Sequence, residues 1–147
     1  MTKLKVNIKT LCLYSEREDE EYGSWSSEYS NHIESVSFSD NPNVICPEPL
    51  KKGDKAFLLW IEVSEGDSFG NAVAKTVEPV AVLKNKALLE KLQEYIKDHD
   101  KQAANFCSQK NKVEAIIGPF KIPFYAFWAG DMFSNIYSIN IEELTIS

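Results

Sequence analysis

The 147-residue sequence predicts a single α+β domain over residues 1–147, an antiparallel sheet of five to seven strands covered by one long helix. Three observations carry that expectation. Several segments alternate apolar and polar residues with a period of two, as half-buried strands do. The segment Ala56-Phe-Leu-Leu-Trp-Ile-Glu-Val63 is almost wholly apolar and stops in the polar turn Ser64-Glu-Gly-Asp-Ser-Phe-Gly70. Only one stretch repeats its apolar residues at three- and four-residue steps, the spacing of one helix face.

In chain order, Leu4, Val6 and Ile8, then Leu11 and Leu13, mark a first strand with a change of face near Lys9-Thr10, read as a bulge. Residues 16–21 form an acidic loop. Residues 24–39 read as a long polar strand through Trp25, Tyr29, Ile33, Val36 and Phe38, an edge strand with one face in water. Asn41-Pro-Asn43, Pro47-Glu-Pro49 and Lys51-Lys-Gly-Asp54 mark turns. The last of these delivers the central strand 55–63. Ala72 to Lys84 returns as a strand that Pro79 interrupts, which demotes that point to an edge or a bulge.

Asn85 is a good helix N-cap. Leu88, Leu89, Leu92, Tyr95, Ile96, His99 and Ala103 then line one face of a helix over 86–106. Phe120 to Trp128, opened by Gly118-Pro119, reads as strand or loop, and 136–146 as a C-terminal strand.

Composition excludes several function classes. No apolar run approaches the roughly 20 residues of a membrane-spanning helix. The N-terminus lacks the apolar core of a secretory signal, so a cytoplasmic protein is expected, with no membrane partner. The net charge is −6 and the sole arginine is Arg17. Direct nucleic-acid binding is not expected, because neutralising phosphates takes clustered cations. Three widely spaced cysteines, Cys12, Cys46 and Cys107, include no C-x-x-C pair and argue against a disulfide scaffold or a zinc knuckle. No pair of residues has metal-ligand spacing and no glycine-rich phosphate loop is present, so no metal, cofactor or catalytic set is assigned.

The charge is nonetheless uneven. Residues 16–28 carry six carboxylates against one arginine. Glu18, Asp19, Glu20 and Glu21 run consecutively into Tyr22, with Trp25 and Tyr29 close behind. Aromatic rings beside charge are a common interface composition. These seven residues are the candidate partner-binding set, and the partner implied is a protein with a basic surface.

The turn Gly66-Asp-Ser-Phe-Gly70 shares residues with the nucleophile motifs of trypsin-like proteases and of some lipases. Both need a histidine base, and neither His32 nor His99 lies in such a motif. A hairpin turn explains the residues, with glycines for positive φ and Asp67 and Ser68 bonding back to the backbone. Gly66-Asp-Ser-Phe69 recurs as Gly130-Asp-Met-Phe133. If the flanking strands are neighbours, Asp67 and Asp131 lie at one sheet end, where two carboxylates hold a cation or divide acid and base roles. Glu65, Asp67, Ser68, Trp128 and Asp131 therefore form an alternative ligand site. The aromatic group around Phe124-Tyr-Ala-Phe-Trp128 supplies either core or a stacking surface.

The segment Trp60-Ile-Glu-Val-Ser-Glu-Gly-Asp-Ser-Phe-Gly70, followed by a valine-rich strand and a lysine-rich helix, resembles small uncharacterised proteins of phages and bacteria. The likeness covers residues 55–97, with a looser aromatic part at 124–128. It implies a phage or mobile-element origin and carries no activity with it.

Three functions follow as expectations. The first is a non-enzymatic binding protein, a small acidic inhibitor of the immunity or anti-defence type that occludes a partner. The second is a protein that sequesters a nucleotide-like signal at the Gly66–Gly70 turn and the aromatic cluster. The third is a metal-dependent enzyme using Asp67 and Asp131.

Overall fold

The computed structural model describes residues 2–17, 24–66, 72–103, 111–126 and 134–147. Within them, side chains are described outside 12–29, 63–76, 99–113 and 125–137. Eight strands and one helix follow in the order β1 (Thr2–Arg17), β2 (Ser24–Phe38), β3 (Val44–Cys46), β4 (Lys55–Gly66), β5 (Ala72–Leu83), α1 (Lys86–Ala103), β6 (Asn111–Ile117), β7 (Phe120–Ala126) and β8 (Ser134–Thr145).

These strands do not form the one sheet of five to seven strands under a long helix that the sequence predicts. They form three small antiparallel sheets: β2-β1-β3 (sheet A), β5-β4-β8 (sheet B) and the hairpin β6-β7 (sheet C). Among the described residues the molecule is mostly β, with one helix of 18 residues.

The physical reason lies in β4. Its even residues Ala56, Leu58 and Trp60 join Leu4, Val6, Val36, Val44 and Cys46 in a core between sheets B and A. Its odd residues Leu59 and Ile61 join Leu89, Leu92 and Ile96 of α1 and Ala115, Ile117, Ile122 and Phe124 of the hairpin in a second core. A continuous apolar run marks a strand buried on both faces. One sheet under one helix would leave Ala56, Leu58 and Trp60 bare. Sheet A covers them, and the result is three layers with sheet B in the middle.

The helix starts where its residues require. Asn85 Oδ1 accepts a hydrogen bond from the Ala87 amide at 2.9 Å, the N-cap contact that satisfies one orphan donor of the first turn. Leu89, Leu92 and Ile96 are all but inaccessible to solvent, each burial favouring the fold by about 1.5–3 kcal/mol. Gln93 Nε2 donates to the Ile139 carbonyl of β8 at 2.9 Å, tying the helix to the edge of sheet B.

Bulges adjust the long strands. Asn7 pairs with Ser35 but Ile8 with Ile33, which leaves Glu34 as the extra residue. The bulge expected in β1 near Lys9-Thr10 is not there: the register runs unbroken from Ile8↔Ile33 to Arg17↔Ser24, and the extra residue lies on β2, opposite Asn7 and Ile8. In β5, Leu59 pairs with Ala81 and Trp60 with Pro79, so Val80 is extra. Pro79 thus lies both on an edge strand and beside a bulge, the two places a ladder tolerates a residue with no N–H.

Two strands escape the sequence reading. β3 is three residues between Pro42 and Pro47. Asn43 extends its pairing by side chain: Oδ1 accepts from Val6 N at 2.7 Å and Nδ2 donates to Val6 O at 2.9 Å. β6 is Asn111–Ile117, joined to β7 by Gly118-Pro119. Gly118 has φ +58°, which suits the first central position of a type II′ hairpin.

Candidate functional site

Sheets A and B run together toward one pole of the molecule. Leu4 and Val6 pack beside Ala56 and Leu58. Further along, Thr10 pairs with Asn31, and Asn31 Nδ2 donates to Glu62 Oε2 of β4 at 3.3 Å. β1 and β4 therefore advance in the same direction. The inter-sheet space is apolar as far as Trp60 and turns polar at Glu62.

A chain of hydrogen bonds closes it there. Thr10 Oγ1 donates to Asn31 Oδ1 at 2.7 Å, and Ser138 Oγ of β8 donates to Glu62 Oε1 at 3.3 Å. Asn140 Nδ2 donates to Ser138 Oγ at 2.8 Å. Asn31 is buried, and such a group is held in place by its partners.

Two of the predicted partner-binding residues, Trp25 and Tyr29, lie past this closure on β2. β1 and β2 stay paired for seven more register positions, from Leu11↔Ser30 to Arg17↔Ser24. At about 3.3 Å per residue this is roughly 23 Å of two-stranded ribbon. Trp25 pairs with Glu16 and Tyr29 with Cys12. In backbone alternation both share the parity of Asn31 and Ile33. Their side chains, and all of Glu18, Asp19, Glu20, Glu21 and Tyr22, lie outside what the structure describes.

Of the alternative ligand residues, Glu65 lies at the same pole. Glu65 of β4 pairs with Ser134 of β8. β4 thus ends, and β8 begins, at one end of sheet B. This is the neighbouring arrangement that an Asp67–Asp131 pair requires of its flanking strands. Asp67, Ser68, Trp128 and Asp131 themselves lie outside the described residues, as does the side chain of Glu65. Among the described residues no cluster of three or more His, Cys, Asp or Glu side chains could hold a metal ion.

A cleft of about 330 Å³ opens elsewhere, on the flank of the three layers. Its walls are three edge strands, one from each sheet: β3 of sheet A, β5 of sheet B and β7 of sheet C. Sheet A contributes Val44 and Ile45 between Pro42 and Pro47. Sheet B contributes Glu78, Pro79 and Val80, and sheet C contributes Lys121 to Phe124. Ile45 is 45% exposed. Phe124 is buried and meets Tyr95 of α1 edge to face, ring centres 5.9 Å apart.

Every wall carries proline, at 42, 47, 79 or 123. Proline on a strand edge offers no N–H to an incoming strand, so these edges resist strand addition. Sequence reasoning missed this cleft. It read Pro42 and Pro47 as parts of turns and Pro79 as an edge or a bulge, and only the folded chain brings them with Pro123 around one space. The signal available was proline inside two apolar segments, which marks both as edges.

Cys46, on the same β3, is a free buried thiol facing the inter-sheet core. Burial pushes its pKa up, against a smaller opposing effect of a hydrogen bond to the Glu48 backbone.

Compared with known proteins, the chain matches no family model, no curated protein and no solved structure.

Proposed function

We propose that this chain is a non-enzymatic binding protein, an acidic inhibitor of the immunity or anti-defence type that occludes a basic partner protein in the cytoplasm. The observation that carries the reading is the ribbon. Of the six carboxylates of residues 16–28, Glu16 and Glu28 stand on β1 and β2, which stay paired for seven positions beyond the polar closure at Asn31 and Glu62, and the other four fall in sequence between the paired ends Arg17 and Ser24. A run of carboxylates of this kind gains little from its own fold, because its charges repel one another. A basic partner relieves that repulsion and is drawn in by it, which raises the association rate.

Other features agree with this reading. The net charge is −6. Among the described residues no helix is long and apolar enough to cross a membrane. Trp25 and Tyr29, both on β2, provide the short-range anchors, since aromatic residues dominate the affinity of most interfaces.

Capture of partners from a lysate of the cell that makes the protein, followed by kinetics on each, tests this. Replacing Glu18, Asp19, Glu20 and Glu21 by their amides is expected to slow association and flatten its salt dependence. Trp25→Ala is expected to speed dissociation while leaving the fold intact. If the amide variant binds every captured partner as fast as wild type, at low and physiological salt alike, the reading fails.

A further inference from the structure

We infer that Trp60 of β4 and Glu142 of β8 hold one internal water molecule between sheets A and B, bridging the indole N–H to the carboxylate. Three observations select this site and its occupant.

The first is a pair of orphaned atoms on one face of sheet B. Trp60 Nε1 and Glu142 Oε2 are both shut off from solvent, and neither atom has a hydrogen-bond partner within the chain. Trp60 as a whole is only 8% exposed. In the β4–β8 ladder Glu142 stands opposite Leu58, and Asn140 opposite Trp60. Residues directly opposite share a face. Leu58 and Trp60 belong to the core under sheet A, so Asn140 and Glu142 face sheet A as well. Trp60 and Glu142 are therefore diagonal neighbours, about 7–8 Å apart and within reach of aromatic and long side chains.

The second is that the surrounding groups are already engaged or apolar. Along β4 the inter-sheet space is apolar as far as Trp60, but β8 beside it presents Ser138, Asn140 and Glu142 to the same space. Asn140 Nδ2 donates to Ser138 Oγ at 2.8 Å, and Ser138 Oγ donates to Glu62 Oε1 at 3.3 Å. The core that holds Trp60 is otherwise apolar apart from the Cys46 thiol, which is bonded to the Glu48 backbone. Overhead, β2 is tied to sheet B at two points: Asn31 donates to Glu62, and Ser147 N donates to Val36 O at 2.9 Å. Ile33 and Val36, the residues of β2 in that core, have no polar side-chain atom. Native structures leave few buried polar groups without a partner, and those that the chain leaves over are commonly met by internal water.

The third is the chemistry of the two atoms. An indole N–H only donates, and an ionised carboxylate only accepts. The bridging group must accept from one and donate to the other. Water does both, and at ordinary hydrogen-bond lengths it spans roughly 5 Å between the atoms it joins. A cation would face the indole N–H, and an anion the carboxylate, so neither suits the pair. A larger hydroxylic solute is disfavoured because neither atom reaches the surface. With the water bound, polar contact between the sheets runs one ladder step further from the pole than Asn140, to Glu142.

The test uses the intact, isotope-labelled chain. Trp60→Phe identifies the Trp60 indole signal by its loss. Paired NOESY and ROESY spectra of the unaltered chain then read the contact between that indole proton and water. A long-lived internal water gives cross-peaks of opposite sign in the two experiments, whereas direct proton exchange gives the same sign in both. Opposite signs are expected. Glu142→Leu removes the acceptor and is expected to abolish the cross-peak, while Glu142→Gln keeps an acceptor oxygen and is expected to retain it. Three results overturn the inference: no water cross-peak at the Trp60 indole, as a direct Trp60–Glu142 hydrogen bond would give; cross-peaks of the same sign; or the same cross-peak in Glu142→Leu as in Glu142→Gln. None of these readouts involves a partner at the acidic ribbon, so the two proposals fail or stand separately.

Discussion

Asn31 of β2 and Glu62 of β4 meet across the gap between sheets A and B, the amide donating to the carboxylate at 3.3 Å. The contact stands where the apolar core ends. Asn31 also accepts from Thr10, and Glu62 from Ser138, so removing Asn31 takes a partner from both Thr10 and Glu62. Asn31→Leu is expected to cost about 1–3 kcal/mol, the penalty of polar groups left without partners. The double variant Asn31→Leu/Glu62→Leu should cost less than the two single changes together, as residues sharing one network do. Urea unfolding of all four proteins measures the coupling; strict additivity would show that the contact carries no energy.

Leu92 lies at the centre of the second core, wholly buried beside Leu89 and Ile96. Leu92→Ala is expected to destabilise the fold by about 2–5 kcal/mol through lost burial and the cavity left behind. Chemical denaturation gives the number. A cost below 1 kcal/mol would mean that α1 does not pack on sheet B as described.

Gly53 and Gly118 both have positive φ, +91° and +58°. They differ in surroundings. A Cβ at Gly53 meets nothing within 4 Å, whereas one at Gly118 comes within 3.2 Å of Leu88 Cδ2. Alanine at either site carries backbone strain of order 1 kcal/mol. Gly118→Ala should be the more damaging, because Leu88 must also give way. Equal losses in melting temperature would rule out the Leu88 contact as a contributor.

Cys46 is held neutral by burial, its pKa raised above the ordinary thiol value of about 8.5. The unfolded thiol ionises first as pH climbs. The stabilisation is therefore complete below the unfolded pKa and declines as pH rises through the folded one. Cys46→Ala should flatten the alkaline side of the stability profile while leaving its neutral side parallel to wild type. Stability measured by denaturant between pH 7 and pH 10.5 decides it. An unchanged alkaline slope would contradict the burial account.

The strand segments were legible in the sequence wherever apolar residues alternated or ran together, as at Leu4–Ile8 and Ala56–Val63. The helix start was legible because Asn85 is a capping residue ahead of the apolar stripe. Pairing was not. Nothing local to Val44-Ile-Cys46 says that it joins β1, since its register with Thr2–Leu4 is set across forty residues. The division into three sheets was within reach: a strand apolar at Phe57, Leu58, Leu59 and Trp60 needs cover on both faces. The sequence reading supplied cover for only one. The cleft was illegible for another reason. Pro42, Val80 and Lys121 are far apart in the chain, and only the stacking of three layers aligns their strands.

The alternation of β4 has a consequence for how the protein comes apart. Its even residues belong to one core and its odd residues to the other. Stripping sheet A away would expose one face of the central strand, and lifting the helix and hairpin would expose the other. Neither outer layer can leave without spoiling a strand that the remaining layer depends on. The molecule should therefore melt in one calorimetric transition, with the amides of Leu58 to Ile61 among the slowest to exchange and reporting the free energy of global unfolding.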